Sequence, residues 1–552
     1  MSAPVLQSQQ PPWTQVAPAS TADRESFAYT SCLSRWPTIL TGVIDSLVHA
    51  SAALAYARNA ELAQARIDEA KGLIESISKL KHDLARNRNL EPIAPAKSSS
   101  EPDSRHFNAV IEHEQPTWFN ASWLFAECHL YATLRALFAH SKHWQNFDPF
   151  ALQKLQTLKS SGQAIRTLAK TVHAIISKLG SDEVTSSAEG QRALFLEMAA
   201  MSLWGNATDL SLLTSLSYAD IQALQASSAE QQRAKARFIL SNDLERAWDD
   251  VFAHLPSYEP KESSKGVRVD FVLDNSGFEL YTDLLFADWL LSTGKVGEIV
   301  FHPKNMPWFV SDVNPSDFRH IITALLSPED FFLGEDGSSS KKNAQGQVDT
   351  PEGIDPAYFA DAHGRPCSPS ASYIIDSTSV APPSASQLPS STSSAANAAE
   401  HDEIEALKAT AARWVEHLDA GRFKLSMRID AELGQRSGAG DFWTEPMGYS
   451  EMAKYGPELL AELQQSALVI FKGDLNYRKL TSDLNWPSTT PFTKALGPLA
   501  GQMNILALRT CKADVCVGLA EGVEEQVRAE DPKWRINGKW AVVQLALRQD
   551  IK

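Results

Sequence analysis

The sequence predicts a mixed α/β protein: a helical first half, then a mostly parallel sheet with helices on both faces. Two observations predict it. From residue 29 to about 255, long segments such as SLVHASAALAYARNAELAQARIDEAKGLIESISKL and FALQKLQTLKSSGQAIRTLAKTVHAIISKL place apolar residues three and four apart with few β-branched runs. After residue 261, short β-rich runs alternate with helical ones, the pattern of parallel strands joined through crossover helices.

The elements follow in order. Residues 1–28 read as a disordered tail and 29–260 as a helical domain, broken by the Pro/Ser-rich stretch 91–104 and the loop 180–189. Residues 261–552 read as the α/β domain. Its strand candidates are VRVDFVL (267–273), EIVF (298–301), ALVIF (467–471), NILAL (504–508) and WAVVQLAL (540–547); LYTDLLFADWLLS (280–292) and HDEIEALKATAARWVEHLDAG (401–421) read as helices. Between about 335 and 400 Ser, Pro, Gly and Ala dominate and apolar periodicity disappears, so this stretch reads as a disordered insertion.

Composition narrows the function. The 552 residues carry a net charge of −16, which repels phosphate backbones and anionic lipid alike. Neither nucleic acid nor a membrane is expected as a partner. The five cysteines are odd in number and form no C-x-x-C pair, and no stretch reaches the ~18 apolar residues of a membrane span. A soluble intracellular protein is expected, cytoplasmic or secondarily nuclear.

Ligands of open α/β sheets bind beyond the carboxyl ends of the strands. VRVDFVL runs into Asp274-Asn275-Ser276-Gly277-Phe278-Glu279, EIVF leads to Ser311-Asp312, ALVIF opens into Lys472-Gly473-Asp474-Leu475-Asn476-Tyr477-Arg478-Lys479, and NILAL ends in Arg509-Thr510-Cys511-Lys512. Two carboxylates and an amide oxygen, from Asp274, Asn275 and Asp312, are hard donors suited to a divalent cation. The neighbouring cations Lys472, Arg478, Lys479, Arg509 and Lys512 suit a bound phosphate. Taken singly, each group has a structural alternative: Asp-Asn-Ser-Gly as a turn, Asp312 as a cap, the cations as a solvated edge. Trp123, Trp204, Trp308 and Trp443 read as core residues, and Asn206, Asp209, Asn242 and Asp243 either as cleft-lining groups or as caps.

VLDNSGFELYTDLLFADWL, FHPKNMPWFVSDV, VIFKGDLNYRKLTSDLNWP and LRTCKADV, joined by PTWFNASWLFAECHLYATLR, SLWGNATDLSLL and ILSND, resemble the metal-dependent damage-control phosphatase family in its eukaryotic Arg-Thr-x-Lys subgroup. The resemblance implies a Rossmann-like three-layer sheet domain with a helical N-terminal domain. It implies Asp274, Asn275 and Asp312 as metal ligands and catalytic residues, and Glu279, Asp474, Leu475, Asn476, Tyr477, Arg478, Arg509 and Lys512 as substrate-binding residues. The implied reaction is hydrolysis of sugar phosphates such as fructose 1-phosphate and fructose 6-phosphate, with Mn²⁺, Co²⁺ or Ni²⁺ and with Mg²⁺ as a further candidate. The chain departs from the family in its long Ser/Pro insertion and in His129-Leu130-Tyr131-Ala132, where relatives carry a more basic pattern, which weakens a role for Arg135. One branch of the family implies a rival activity, methyl transfer from S-adenosylmethionine to protein carboxylates, with Glu279 and Asp312 holding the cofactor. The absence of a glycine-rich loop after the first strand disfavours it. Deletion of residues 338–399 is expected to leave folding and activity intact; protection of this stretch from proteases in the native protein would contradict its reading as an insertion.

Overall fold

Each strand candidate of the second half is a strand in the computed structural model, which describes residues 11–54, 60–95, 104–179, 181, 187–205, 237–256, 266–333 and 395–548. They are β2 (Arg268–Val272), β3 (Glu298–His302), β5 (Leu468–Lys472), β6 (Ile505–Thr510) and β7 (Ala541–Ala546). Two more, β1 (Ile239–Asn242) and β4 (Phe423–Leu425), complete a seven-stranded sheet of order β1-β7-β6-β5-β2-β3-β4. Every neighbouring pair is parallel except β6 and β7. β1 and β4 escape the sequence reading because they are edge strands of four and three residues, too short to show a period.

Alternation along the strands builds a core on each face. Val269 and Phe271 of β2, Leu468 and Ile470 of β5, and Leu506 and Leu508 of β6 face helices Gly162–Lys178, Ala188–Trp204, Phe278–Ser292, Pro315–Leu326 and Ala395–Asp419. Val272, Val469, Phe471, Ile505 and Ala507 face the other way, onto Trp443, Tyr449, Leu459 and Trp534. The packing therefore does not divide at residue 260, where the sequence places its domain boundary: helices from Leu158 onward, and β1, belong to the sheet's own core. The reason lies in Gly162–Lys178, which buries Ile165, Leu168, Ala169, Val172 and Ile175, a face too broad to leave without the sheet and its neighbouring helices.

A separate core is formed by helices Trp36–Leu54, Ala60–Ala85, Arg105–Glu114 and Trp123–Ala139. It takes in Met306, Trp308 and Phe309 from the loop after β3, Leu475 after β5 and Ala513 after β6. This helical layer thus sits on the loops at the carboxyl ends of the strands, where the chemistry is expected. The four tryptophans expected in the core are all buried.

The expected tail needs correction over residues 11–28. Ala19 N donates to Asp483 O at 2.9 Å, Trp123 N donates to Ala19 O at 2.8 Å, and Trp13 stacks on Trp486 at 5.9 Å. Isolated bridges pair Pro18 with Leu484 and Ser20 with Ser122, so the segment ties the helical layer to the loop after β5 despite its three prolines. Asn206, Asp209 and residues 334–394 of the insertion lie outside the described residues, and the helix Ala395–Asp419 begins inside the stretch assigned to the insertion. Asn242 and Asp243 are structural: Asn242 Oδ1 accepts locally from Leu244 N at 3.1 Å, and Asp243 Oδ2 accepts from Leu545 N of β7 at 2.9 Å. Removal of residues 1–21 should therefore lower the thermal unfolding midpoint, by roughly 2–4 kcal/mol in stability from lost backbone hydrogen bonds and aromatic burial; an unchanged melting curve contradicts this.

Candidate active site

The loops after β2 and β3 are laced together before any side chain is considered. Val313 N donates to Asp274 O at 2.8 Å, Ser276 N to Ser311 O at 2.7 Å, and an isolated bridge pairs Asn275 with Asp312. The three expected metal ligands are therefore brought to one place. Asp274 is 4% exposed and Asp312 2%. The Asn275 Nδ2 donates to Asp274 Oδ2 and to Glu279 Oε2, each at 2.8 Å, while its Oδ1 accepts from Ser311 Oγ.

Electrostatics show the cost of this convergence. Burial, then the charges of Asp312 and Glu279, push the Asp274 carboxyl well above the usual carboxylate range, against the pull of Lys304 and Lys512. Burial pushes Asp312 up to about 7, again opposed by Lys304. Lys304 is fully buried, donates to Leu273 O at 2.8 Å and stands 3.3 Å from Asp312 Oδ2, an oxygen with no hydrogen bond of its own among the described residues. The sequence reading quoted Lys304 within HPKNMPWFV but gave it no role; its signal was position, since it follows β3 directly.

Backbone and packing hold the carboxylates against repulsion. A Cβ on Gly473, whose φ is +78°, would lie 1.8 Å from Asp274 Oδ2, so only glycine lets this carboxylate settle at the end of β5. Phe309 and Val310 adopt φ of 44° and 70°, a strained left-handed turn for a β-branched residue, immediately before Ser311 and Asp312. Beyond Asp312, Asn314 caps the helix Pro315–Leu326 in a capping box with Asp317. That box is fixed by the helical side: Lys154 Nζ lies 2.8 Å from Asp148 and 2.7 Å from Asp317, and Asn314 Nδ2 donates to Asp148 at 3.0 Å.

The expected substrate-binding residues divide. Lys512 acts electrostatically on Asp274, and its backbone N donates to Asp474 Oδ1 at 3.0 Å, so these two stand at the site. Glu279 does too, one oxygen bonded to Asn275 and the other without a hydrogen bond among the described residues. Five others are framework. Leu475 is buried in the helical core. Asn476 Nδ2 donates to the carbonyls of Val272, Leu273 and Lys472, at 3.2, 3.1 and 2.7 Å. Tyr477 OH donates to Gln544 Oε1 at 2.8 Å and accepts from Val517 N at 3.1 Å.

Arg478 is bracketed by two carboxylates, Glu127 at 2.7 Å and Asp483 at 2.8 Å, and lies 3.7 Å over the Trp123 ring. Arg509 binds Asp474 at 2.8 Å and the carbonyls of Val515 and Ala513 at 2.5 and 3.0 Å. Lys472 and Lys479, also read as anion-binding, turn inward: Lys472 to Asp283 at 3.1 Å, Lys479 to the carbonyls of Trp443 and Glu445 at 2.9 and 2.8 Å. Burial lowers the Lys479 ammonium to about 8. Arg135 is likewise structural, donating to Gln145 O and Leu433 O at 2.5 and 2.6 Å.

Residues 32–527 match the family described as the damage-control phosphatase ARMT1-like domain. The chain belongs to the damage-control phosphatase family. Damage-control phosphatase ARMT1 of Xenopus tropicalis is 31% identical over 94% of this chain and 96% of its own, and that of Homo sapiens is 28% identical over 96% and 98%. A solved DUF89 family protein from Pyrococcus horikoshii aligns over 93% of this chain and 96% of its own at 10% identity with a TM-score of 0.34. In this damage-control phosphatase the Arg-Thr-x-Lys motif, Arg509 to Lys512, works as a unit: the arginine clasps the loop that presents the lysine.

Because Glu127 is fully buried and also accepts from Arg35 and Trp36, each at 3.1 Å, Glu127→Ala should destabilise the protein by about 3–5 kcal/mol, as expected when a buried ion pair loses one partner. Chemical denaturation measures it; a loss below ~1 kcal/mol would assign the bracket no structural role. Lys479→Ala, which leaves two buried carbonyls without their donor, should also destabilise, by about 1–3 kcal/mol.

Proposed function

We propose that this protein is a metal-dependent phosphomonoester hydrolase acting on small phosphorylated metabolites, with sugar phosphates such as fructose 1-phosphate and fructose 6-phosphate as its substrates. The observation that carries the reading is the pair of buried carboxylates, Asp274 and Asp312, driven together with raised pKa values and one oxygen lacking a hydrogen bond among the described residues. Such a pair is poorly suited to stand without a cation. Family membership supports the phosphatase class, and the parallel strands of this chain's own sheet support a Rossmann-like reading.

The residues present fit a divalent metal. Among the described residues no cluster of three or more His, Cys, Asp and Glu side chains could hold one, but here the third donor is an amide. Asp274, Asn275 and Asp312 would hold the ion through hard oxygens, which suits Mn²⁺, Co²⁺, Ni²⁺ or Mg²⁺. When bound, such an ion supplies neutralisation of the phosphoryl oxygens. Lys512 provides positive charge for a substrate phosphate, oriented by the hold of Asp474 on its backbone N. Asn275 Nδ2 donates to Asp274 and Glu279 while its Oδ1 accepts from Ser311, so for its oxygen to join the carboxylates at the ion the amide would have to turn over, exchanging these two positions. Lys304 keeps the Asp312 carboxylate in place from behind.

Among the described residues no helix is long and apolar enough to cross a membrane, and Cys32, Cys128, Cys511 and Cys516 are unpaired. Unpaired thiols fit a reducing compartment such as the cytoplasm.

Phosphate release from chelator-stripped protein should require added divalent ion, with full activity after stripping contradicting the reading. Asp274→Ala and Asp312→Ala should each abolish turnover; Asp274→Ala should leave the metal-free melting point unchanged or higher, since it removes one of two repelling carboxylates, whereas Asp312→Ala should lower it, since it leaves the buried Lys304 without its carboxylate. Metal binding must displace protons, so affinity should rise as pH climbs through about 7, the region to which Asp312 is shifted. For the metal-free protein the sign reverses. A carboxyl whose folded pKa is raised contributes stability that is fully present below its unfolded value of 3.8 and is lost as pH rises to its folded value, so metal-free stability should fall from about pH 4 to about 7 and level off above, and added metal should flatten the fall. Titration calorimetry and melting curves across this window check both arms.

A further inference from the structure

With Arg478, Arg509, Lys472 and Lys479 locked into the framework, the groups that read the rest of the substrate must come from elsewhere, and the helical layer offers them. Glu127 and Tyr131 stand one turn apart on the helix Trp123–Ala139 and so share a face. Glu127 Oε1 holds Arg35 at 3.1 Å. Tyr131 stacks on Phe309 with ring centroids 4.9 Å apart and lies 5.8 Å from the ring of Trp308; Phe309 opens the left-handed turn that delivers Asp312. Arg35, Glu127 and Asp312 all act electrostatically on the Tyr131 hydroxyl.

Two features of this corner are unsatisfied. Tyr131 is 1% exposed and its hydroxyl has no hydrogen-bond partner among the described residues, nor has the indole N–H of the fully buried Trp308. Buried polar groups without partners are rare, and in native structures they call for an occupant. Arg35 is the exposed member of its pair, 41% open along the side chain, and uses only one of its terminal nitrogens on Glu127, leaving donors of its guanidinium for a ligand.

We infer that Arg35 and Tyr131 form a subsite for the hydroxyl groups of the substrate's alcohol portion, reading the part of a phosphorylated polyol that does not react. The inference rests on the phosphatase reading and adds to it the residues that read the non-reacting hydroxyls. Charge favours hydroxyls over a second phosphate: Arg35 and Arg478 are matched by Glu127 and Asp483, so the corner is close to neutral. Burial raises the Tyr131 pKa further, so its phenol stays a neutral donor and acceptor, the form that pairs with an alcohol.

The test is a specificity ratio: kcat/KM for fructose 6-phosphate divided by that for p-nitrophenyl phosphate, which has no alcohol hydroxyls, both with Mn²⁺. Tyr131→Phe keeps the ring stack on Phe309 and removes only the hydroxyl, and Arg35→Gln acts on an exposed side chain. Each should lower the ratio about 10-fold or more, chiefly through KM for the sugar phosphate, the loss expected when a site built to bond a hydroxyl is left unpaired. A ratio that stays at the wild-type value, whether both substrates fall in parallel or neither changes, overturns the subsite. Wild-type protein that hydrolyses neither compound with any divalent ion overturns the phosphatase reading itself, a result separate from a failed ratio.

Discussion

Two carboxylates forced together out of water govern the architecture of this protein. Asp274 and Asp312 arrive from the ends of neighbouring parallel strands, and unit charges ~4 Å apart repel by roughly 4 kcal/mol at an effective dielectric near 20. Much of the nearby structure can be read as resistance to that force. Lys304 stands behind Asp312, Gly473 leaves room beside Asp274, and the Phe309–Val310 turn is held left-handed by packing under Tyr131. The Lys154 bridge to Asp148 and Asp317 fastens the far end of the same loop. Strain kept at so many points around one pair of groups is typical of a functional site, where the surrounding fold over-determines the geometry.

The same logic explains where the positive charge went. Composition suggested that five cations clustered at strand ends would face an anion, but four of them face inward. A guanidinium or ammonium beyond a strand's carboxyl end meets unpaired carbonyls of the loops there, and a fully buried cation must satisfy them or a carboxylate. Arg509 and Lys479 satisfy carbonyls; Arg478 and Lys472 satisfy carboxylates. Their charge is spent on rigidity, which leaves Lys512 as the member of the set positioned toward Asp274.

What was legible in the sequence follows from range. Strand positions, the helical first half and the convergence of Asp274, Asn275 and Asp312 depend on local periodicity and on the rule that loops after parallel strands share an edge. β1 and β4 were too short to declare themselves, and residues 11–28 were misread because their order comes from partners about a hundred or more positions away, such as Ala121 and Asp483. Arg478 shows the limit most clearly: nothing in DLNYR distinguishes a phosphate ligand from a strut, because Glu127, 351 positions earlier, decides it. Burial and partnership are tertiary facts, and a residue's chemistry at a site depends on both.

The rival methyl-transfer reading can be weighed on the same terms. It asks Glu279 and Asp312 to hold a cofactor, yet Glu279 already orients Asn275 through Oε2 and has Lys472 3.6 Å from Oε1, while Asp312 faces Lys304 at 3.3 Å. Both carboxylates are buried beside lysines, a setting that opposes a sulfonium cation as strongly as it favours an anion accompanied by a divalent ion. The raised Asp312 pKa points the same way, because a carboxylate that is reluctant to ionise gains most from a ligand of concentrated positive charge. A small divalent ion would concentrate charge in a way that a sulfonium does not, and on the proposed reading phosphoryl oxygens would be the partners that it and Lys512 share.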